Sequence, residues 1–186
     1  MAKQFYRRYA LLTPEHELIK RDEEKEDKLV AVFRNYLHPL IVKPAKASGS
    51  DDIREVMTFK ELKDAVEDLL NNYPRVMVEE CIKGDEISCV VIEEARGETF
   101  YTLVPSGHLG VEENKLISDM AKKAHEILGL RHYSSSDFIV TPRKKIYILE
   151  TNSQPVLHED SLAHNSLLAT GWQPRDFVDH ILKLVV

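Results

Sequence analysis

The sequence predicts an α+β fold, and two observations carry that expectation. Apolar runs rich in β-branched and aromatic residues, at 40–44, 75–82, 86–92, 99–104, 134–140 and 146–152, read as strands. Apolar residues at helical spacing, at 29–37, 59–70, 112–128 and 174–185, read as helices with one buried stripe. Strands and helices are mixed in the first half, strands dominate the middle, and helices close the chain.

Composition bounds the function. The chain has 186 residues, 43% hydrophobic and 30% charged, with only seven glycines. That is the make-up of an ordinary globular protein with one substantial core or two modest lobes. A net charge of −6 argues against generic nucleic-acid binding, while leaving room for a local basic groove that takes phosphate. The charged start, Met1 to Arg8, has no signal-peptide core behind it, and no run reaches the roughly 20 apolar residues of a membrane span. Cys81 and Cys89 lie in or beside apolar strand-like stretches, so they are expected as reduced, packed thiols. A cytoplasmic location is the resulting expectation.

In chain order, residues 5–12 are expected to form a short strand, turned by Thr13-Pro14. The mixed-charge run Arg21 to Lys28 leads into a helix carrying Leu29, Val30, Val32, Phe33 and Leu37, ended by Pro39. Leu40 to Pro44 is a strand that delivers Lys43 beside the small-residue loop 45–50. Such a loop exposes backbone N–H groups that cradle phosphate, and the lysine adds a point charge. Ile53 to Met57 reads as the returning strand. Thr58-Phe59-Lys60-Glu61 is a capping box that opens a helix through Leu70. Arg75 to Ile82 is a strand, Lys83-Gly84-Asp85 a turn, Glu86 to Ile92 a strand, and Glu93 to Glu98 a charged loop before the strand 99–104. The helix 112–128 is expected to bury Leu116, Met120, Ala124 and Ile127, and Gly129 stops it. A short helix from Asp160 to Thr170 and an amphipathic one opened by Pro174 complete the chain.

The most informative stretch is the hairpin formed by 134–140 and 146–152. With a turn centred between Arg143 and Lys144, Val140 is expected opposite Tyr147, Phe138 opposite Leu149, and Asp137 opposite Glu150. Two carboxylates then face each other about 5 Å apart at Cβ, a destabilising arrangement unless a cation sits between them. Asn152 shares their face by alternation. Hard oxygen donors of this kind suit Mg²⁺, or Mn²⁺. An edge hairpin whose acids are simply hydrated is the competing reading.

Taken together, Val42-Lys43-Pro44 with its small-residue loop, Val78 to Glu86, Asp137-Phe138 and Glu150 to Pro155 resemble the ATP-grasp superfamily. The resemblance is nearest to the D-alanine–D-alanine ligase branch, from about residue 9 onward, without that family's N-terminal domain. It implies two α+β lobes, 1–82 and 83–186, with ATP held between them. Lys43 would contact phosphates, with Ser48, Gly49 and Ser50 folded over them. Backbone groups of Glu80 and Ile82 would meet the adenine edge, with Glu79 beside its amino group and Glu86 on the ribose. Asp137, Glu150 and Asn152 would hold magnesium, and Ser161 would bind the substrate carboxylate. The family's reaction passes through an acylphosphate that an amine attacks.

Three departures from the family's pattern stand out: Ser135 where an arginine is common, Val156 where a glycine follows the proline, and Asp51-Asp52 in the phosphate loop. They leave two readings open. One is an ATP- and Mg²⁺-dependent carboxylate–amine ligase, or the ATP-binding part of one. The other is a nucleotide-binding module with decayed phosphoryl-transfer residues. The partners expected are ATP and small amino-acid or carboxylate substrates, with neither nucleic acid nor membrane. The chain then reads as a fragment, as a half-enzyme completed by a homodimer or by a separate chain supplying the N-terminal domain, or as a reduced relative.

Overall fold

Two four-stranded antiparallel sheets carry the fold, one in each of two units: Pro14–Ile82, and Met1–Thr13 together with Lys83–Val186. The computed structural model describes residues 2–46, 52–107, 109–155, 158–159 and 161–185. Residues 1–13 group with Lys83–Val186 by their contacts.

In the smaller unit the strands β1 (His16–Lys20), β2 (Leu40–Pro44), β3 (Arg54–Val56) and β4 (Arg75–Glu80) pair in the order β1-β4-β2-β3. Leu40, Val42, Val76 and Val78 are fully buried on one face of this sheet. They pack with Leu29 and Val32 of α2 (Glu26–Asn35) and with Leu62, Val66 and Leu69 of α3 (Phe59–Asn72). The expected capping box is present: the Thr58 hydroxyl accepts from the Glu61 N–H, and the Glu61 carboxylate accepts from the Thr58 N–H. Strand β1 was not anticipated, because its five residues alternate poorly and its polar positions hide the pattern. Helix α2 ends at Asn35, so Leu37 lies beyond it and is 75% exposed.

The larger unit orders its strands β6-β5-β7-β8: β5 (Asp85–Ala95), β6 (Glu98–Thr102), β7 (Tyr133–Val140) and β8 (Ile146–Asn152). One face packs on α1 (Ala2–Arg8) and α4 (Val111–Ile127) through Ile87, Cys89, Val91, Phe138 and Ile148. A second cluster joins Val90 and Ile92 of β5 to α5 (Leu162–Ala169) and α6 (Pro174–Val185) through Ala163, Leu167 and Phe177.

Four expectations need correction here. Residues 5–12 are no strand: Ala2–Arg8 is helical, because Lys3 and Tyr6 share one buried face and the Tyr6 ring is fully enclosed. Tertiary burial overrides the aromatic strand preference. The expected loop at 93–98 is narrower, since β5 continues to Ala95 and turns over Arg96 and Gly97, both at positive φ. Helix α4 is rotated by about one residue, burying Ile117, Ala121, Ala124 and His125 while Leu116 is 51% exposed. His125 tolerates this because Nδ1 lies 2.8 Å from the Ser134 hydroxyl and Nε2 is 3.5 Å from Glu93. Burial holds its pKa below the ordinary histidine value, against the pull of Glu93.

The fourth correction concerns the hairpin. Asp137 does pair with Glu150, but Phe138 pairs with Ile148 and Val140 with Ile146, because the register slips by one residue between Asp137 and Phe138. The expected pairs Phe138/Leu149 and Val140/Tyr147 do not form. The reason lies in side-chain direction. Ile146, Ile148, Glu150 and Asn152 all fall on one phase of strict alternation. The slip at Leu149 leaves the two isoleucines in the core and turns the two polar residues to the opposite face.

Candidate functional site

The bulged hairpin builds a polar lattice on three strands. Ser88 of β5 pairs with Asp137 of β7, which pairs with Glu150 of β8; in the next row Val90 pairs with Ser135, which pairs with Asn152. The Asn152 amide donates to both acids, at 3.2 Å to Glu150 Oε1 and 3.4 Å to Asp137 Oδ2. The three residues expected to hold a metal therefore do converge.

Asp137 is half-buried and its pKa is pushed up to about 6. Burial is the main cause, the charges of Glu150 and Glu86 add to it, and a hydrogen bond from Ser88 works the other way. Glu86 thus belongs to the same electrostatic cluster. Among the described residues no cationic side chain pairs with Asp137 or Glu150. Nor do three or more His, Cys, Asp and Glu side chains converge into a metal-sized group among them, so a cation held here would need the Asn152 amide oxygen as its third donor, after rotation of that side chain. Two carboxylates and an amide with uncompensated negative charge are a donor set that fits a hard divalent cation.

The back of β8 is fixed from below. Thr151, between the two outer donors, points the other way; its Oγ1 accepts from the Tyr6 hydroxyl at 2.7 Å and lies 2.8 Å from Ser136 Oγ. Burial, with the nearby acids, raises the Tyr6 pKa to about 12, so it stays a donor. The Ile148 N–H donates to the Leu12 carbonyl at 2.8 Å. Helix α1 and its trailing segment thus hold the hairpin in place, a role that the expected strand at 5–12 concealed.

Elsewhere in this unit, Ser161 is the N-cap of α5, its hydroxyl oxygen accepting from the His164 N–H at 3.1 Å. That bond uses the oxygen as acceptor and leaves the hydroxyl proton free to donate to a carboxylate. Gly84, in the turn into β5, is required sterically: an added Cβ would sit 2.3 Å from the Val140 carbonyl oxygen.

The smaller unit holds the remaining predicted residues. Lys43 and Glu79 lie on one face of neighbouring strands and form an ion pair, Nζ to Oε1 at 2.5 Å, with Glu79 only 4% exposed. The lysine expected on phosphate and the acid expected on adenine are thus each other's partners. The Glu80 N–H donates to the Glu15 carbonyl, and its carboxylate accepts from the Leu37 N–H at 2.9 Å. The Cys81 N–H donates to Pro39, and Ile82 follows as irregular chain. Ser48, Gly49 and Ser50 lie outside the described residues, as do Asp51 and Val156.

Sequence reasoning missed Ser88 and Ser135 as neighbours of the acids. Ser88 lies two residues after Glu86 on a strand, so alternation placed both on one face and carried the signal.

A family model described as D-ala D-ala ligase C-terminus matches residues 5–108 and 101–183. A D-alanine–D-alanine ligase of Francisella tularensis subsp. novicida is 30% identical over 177 residues, covering 84% of this chain and 58% of the relative. The D-alanine-D-alanine ligase structure from Coxiella burnetii superposes with a TM-score of 0.89 at 22% identity, over 98% of this chain and 54% of that one. The Bacillus anthracis D-alanine–D-alanine ligase complexed with ATP gives 0.80 at 22%, over 98% and 62%. At these identities the superpositions establish the fold. The chain spans less than two thirds of the length of the relatives it matches here.

Proposed function

The chain belongs to the D-ala D-ala ligase C-terminal family, and from that premise we propose that it is the ATP- and metal-binding part of an ATP-dependent ligase that joins two small amino acids, D-alanine in the relatives' names. The observation that carries this reading is the Asp137, Glu150 and Asn152 cluster, whose negative charge has no cation among the described residues.

In this proposal those three residues hold Mg²⁺, or Mn²⁺, which when bound supplies the charge neutralisation that phosphoryl transfer demands. Lys43 contributes its positive charge to the nucleotide's phosphates, with Glu79 keeping the ammonium oriented through their ion pair. Ser48, Gly49 and Ser50 cover the phosphates, backbone groups of Glu80 and Ile82 meet the adenine edge, and Glu86 takes the ribose. Ser161 donates its free hydroxyl proton to a substrate carboxylate. One carboxylate accepts the γ-phosphoryl group, and the amine of a second amino acid displaces phosphate from the resulting acylphosphate. The rest of the substrate pocket would come from chain equivalent to the remaining length of the relatives.

A second reading has its own observation. Ser135 is buried and bonded to Ser88, so no cation stands at that point of the sheet. A module that binds nucleotide without turnover fits it, since removing one transition-state donor costs roughly 10² to 10³ in rate. The experiment is ADP release from MgATP with and without D-alanine and other small amino acids. The ligase reading expects release that depends on the amino acid and a dipeptide product. Nucleotide binding with no amino-acid-dependent release would favour the second reading.

A further inference from the structure

The hydroxyl pair beside the acidic cluster has no role in the ligase reading above, yet its geometry is specific. Ser88 Oγ and Ser135 Oγ lie 2.8 Å apart, 4% and 3% exposed. Ser88 is the direct cross-strand partner of Asp137, while Ser135 is two residues before it on the same face. A buried hydroxyl carries one proton to donate and two lone pairs to accept with. The Ser88 backbone is also anchored, its N–H donating to Ser106 Oγ at 2.7 Å.

We propose that Ser88 is a positioning residue for the metal-binding carboxylate: Ser135 donates to Ser88, and Ser88 in turn donates to Asp137, holding that carboxylate aimed at the cation. This rests on the metal reading of Asp137, Glu150 and Asn152 given above. The order of donation follows from the endpoint. Asp137 can only accept when ionised, so the Ser88 proton points to it, and the Ser135 proton is the one that bridges the pair. Groups that orient a metal ligand in this way typically contribute 10- to 100-fold to metal affinity.

The test is Mn²⁺ affinity, read from the electron paramagnetic resonance signal of the free ion, with a non-hydrolysable ATP analogue present. Wild type, Ser88→Ala, Ser88→Thr and Ser135→Ala would be compared, and thermal melting would establish that each is folded. The expected result is roughly 10-fold or more weakening for Ser88→Ala, restoration towards wild type by Ser88→Thr, and a smaller loss for Ser135→Ala. Wild-type affinity in a folded Ser88→Ala would overturn the inference; so would equal weakening in the Ala and Thr variants, which would mark a packing effect. If Ser88→Ala does not fold, an unchanged affinity in Ser135→Ala overturns it instead. A wild-type chain that binds no Mn²⁺ would remove the metal reading itself, and this inference with it.

Discussion

Asp137 concentrates the tension in the molecule. Its folded pKa of about 6 lies above the ordinary value of 3.8, so the folded state binds the proton more tightly than the unfolded chain does. Stability from this group is present below pH 3.8 and is lost as pH rises through about 6. In metal-free buffer, Asp137→Asn is therefore expected to raise stability above pH 6 by about 1 to 3 kcal/mol and to leave it nearly unchanged at pH 4, as measured by denaturant unfolding at the two values. A loss of stability at neutral pH would contradict this. The pairing of Asp137 with Glu150 was legible from the sequence, because polar residues that interrupt two apolar runs can be counted back from a turn. The Lys43–Glu79 ion pair was not: both residues were recognised, but their contact depends on a diagonal between β2 and β4 that only the sheet order reveals.

The elements divide between those that local chemistry specifies and those that packing specifies. The capping box of α3 and the β8 polar residues were readable because each signal sits within a few residues. Helix α1 was not, since seven residues with no cap signal adopt a helix only because Tyr6 fits beneath β8. Tyr6→Phe removes that buried hydroxyl and is expected to cost about 1 kcal/mol, seen as a lowered melting temperature. The slip at Leu149 makes a sharper prediction. Deleting Leu149 leaves a straight ladder with Ile148 still opposite Phe138 and Glu150 still opposite Asp137. Deleting Tyr147 instead turns Ile146 out of the core. The second deletion should lower the melting temperature far more than the first, and the reverse order would contradict the assigned register.

At the scale of the whole molecule, each unit has its own sheet and its own buried cluster, and each carries part of the predicted residue set. The α+β class was legible because strand and helix periodicities differ; the order of strands in each sheet was not, since no local signal encodes which edges meet. Among the described residues no helix is long and apolar enough to cross a membrane. The central claim is that the Asp137, Glu150 and Asn152 cluster binds a divalent cation together with nucleotide. It is tested most directly by calorimetric titration with a non-hydrolysable ATP analogue, with and without Mg²⁺, in wild type and Glu150→Gln. The account predicts micromolar binding that depends on Mg²⁺ in the wild type and is at least 10-fold weaker in the variant. Binding indifferent to both Mg²⁺ and the substitution, or absent at millimolar nucleotide, would contradict it.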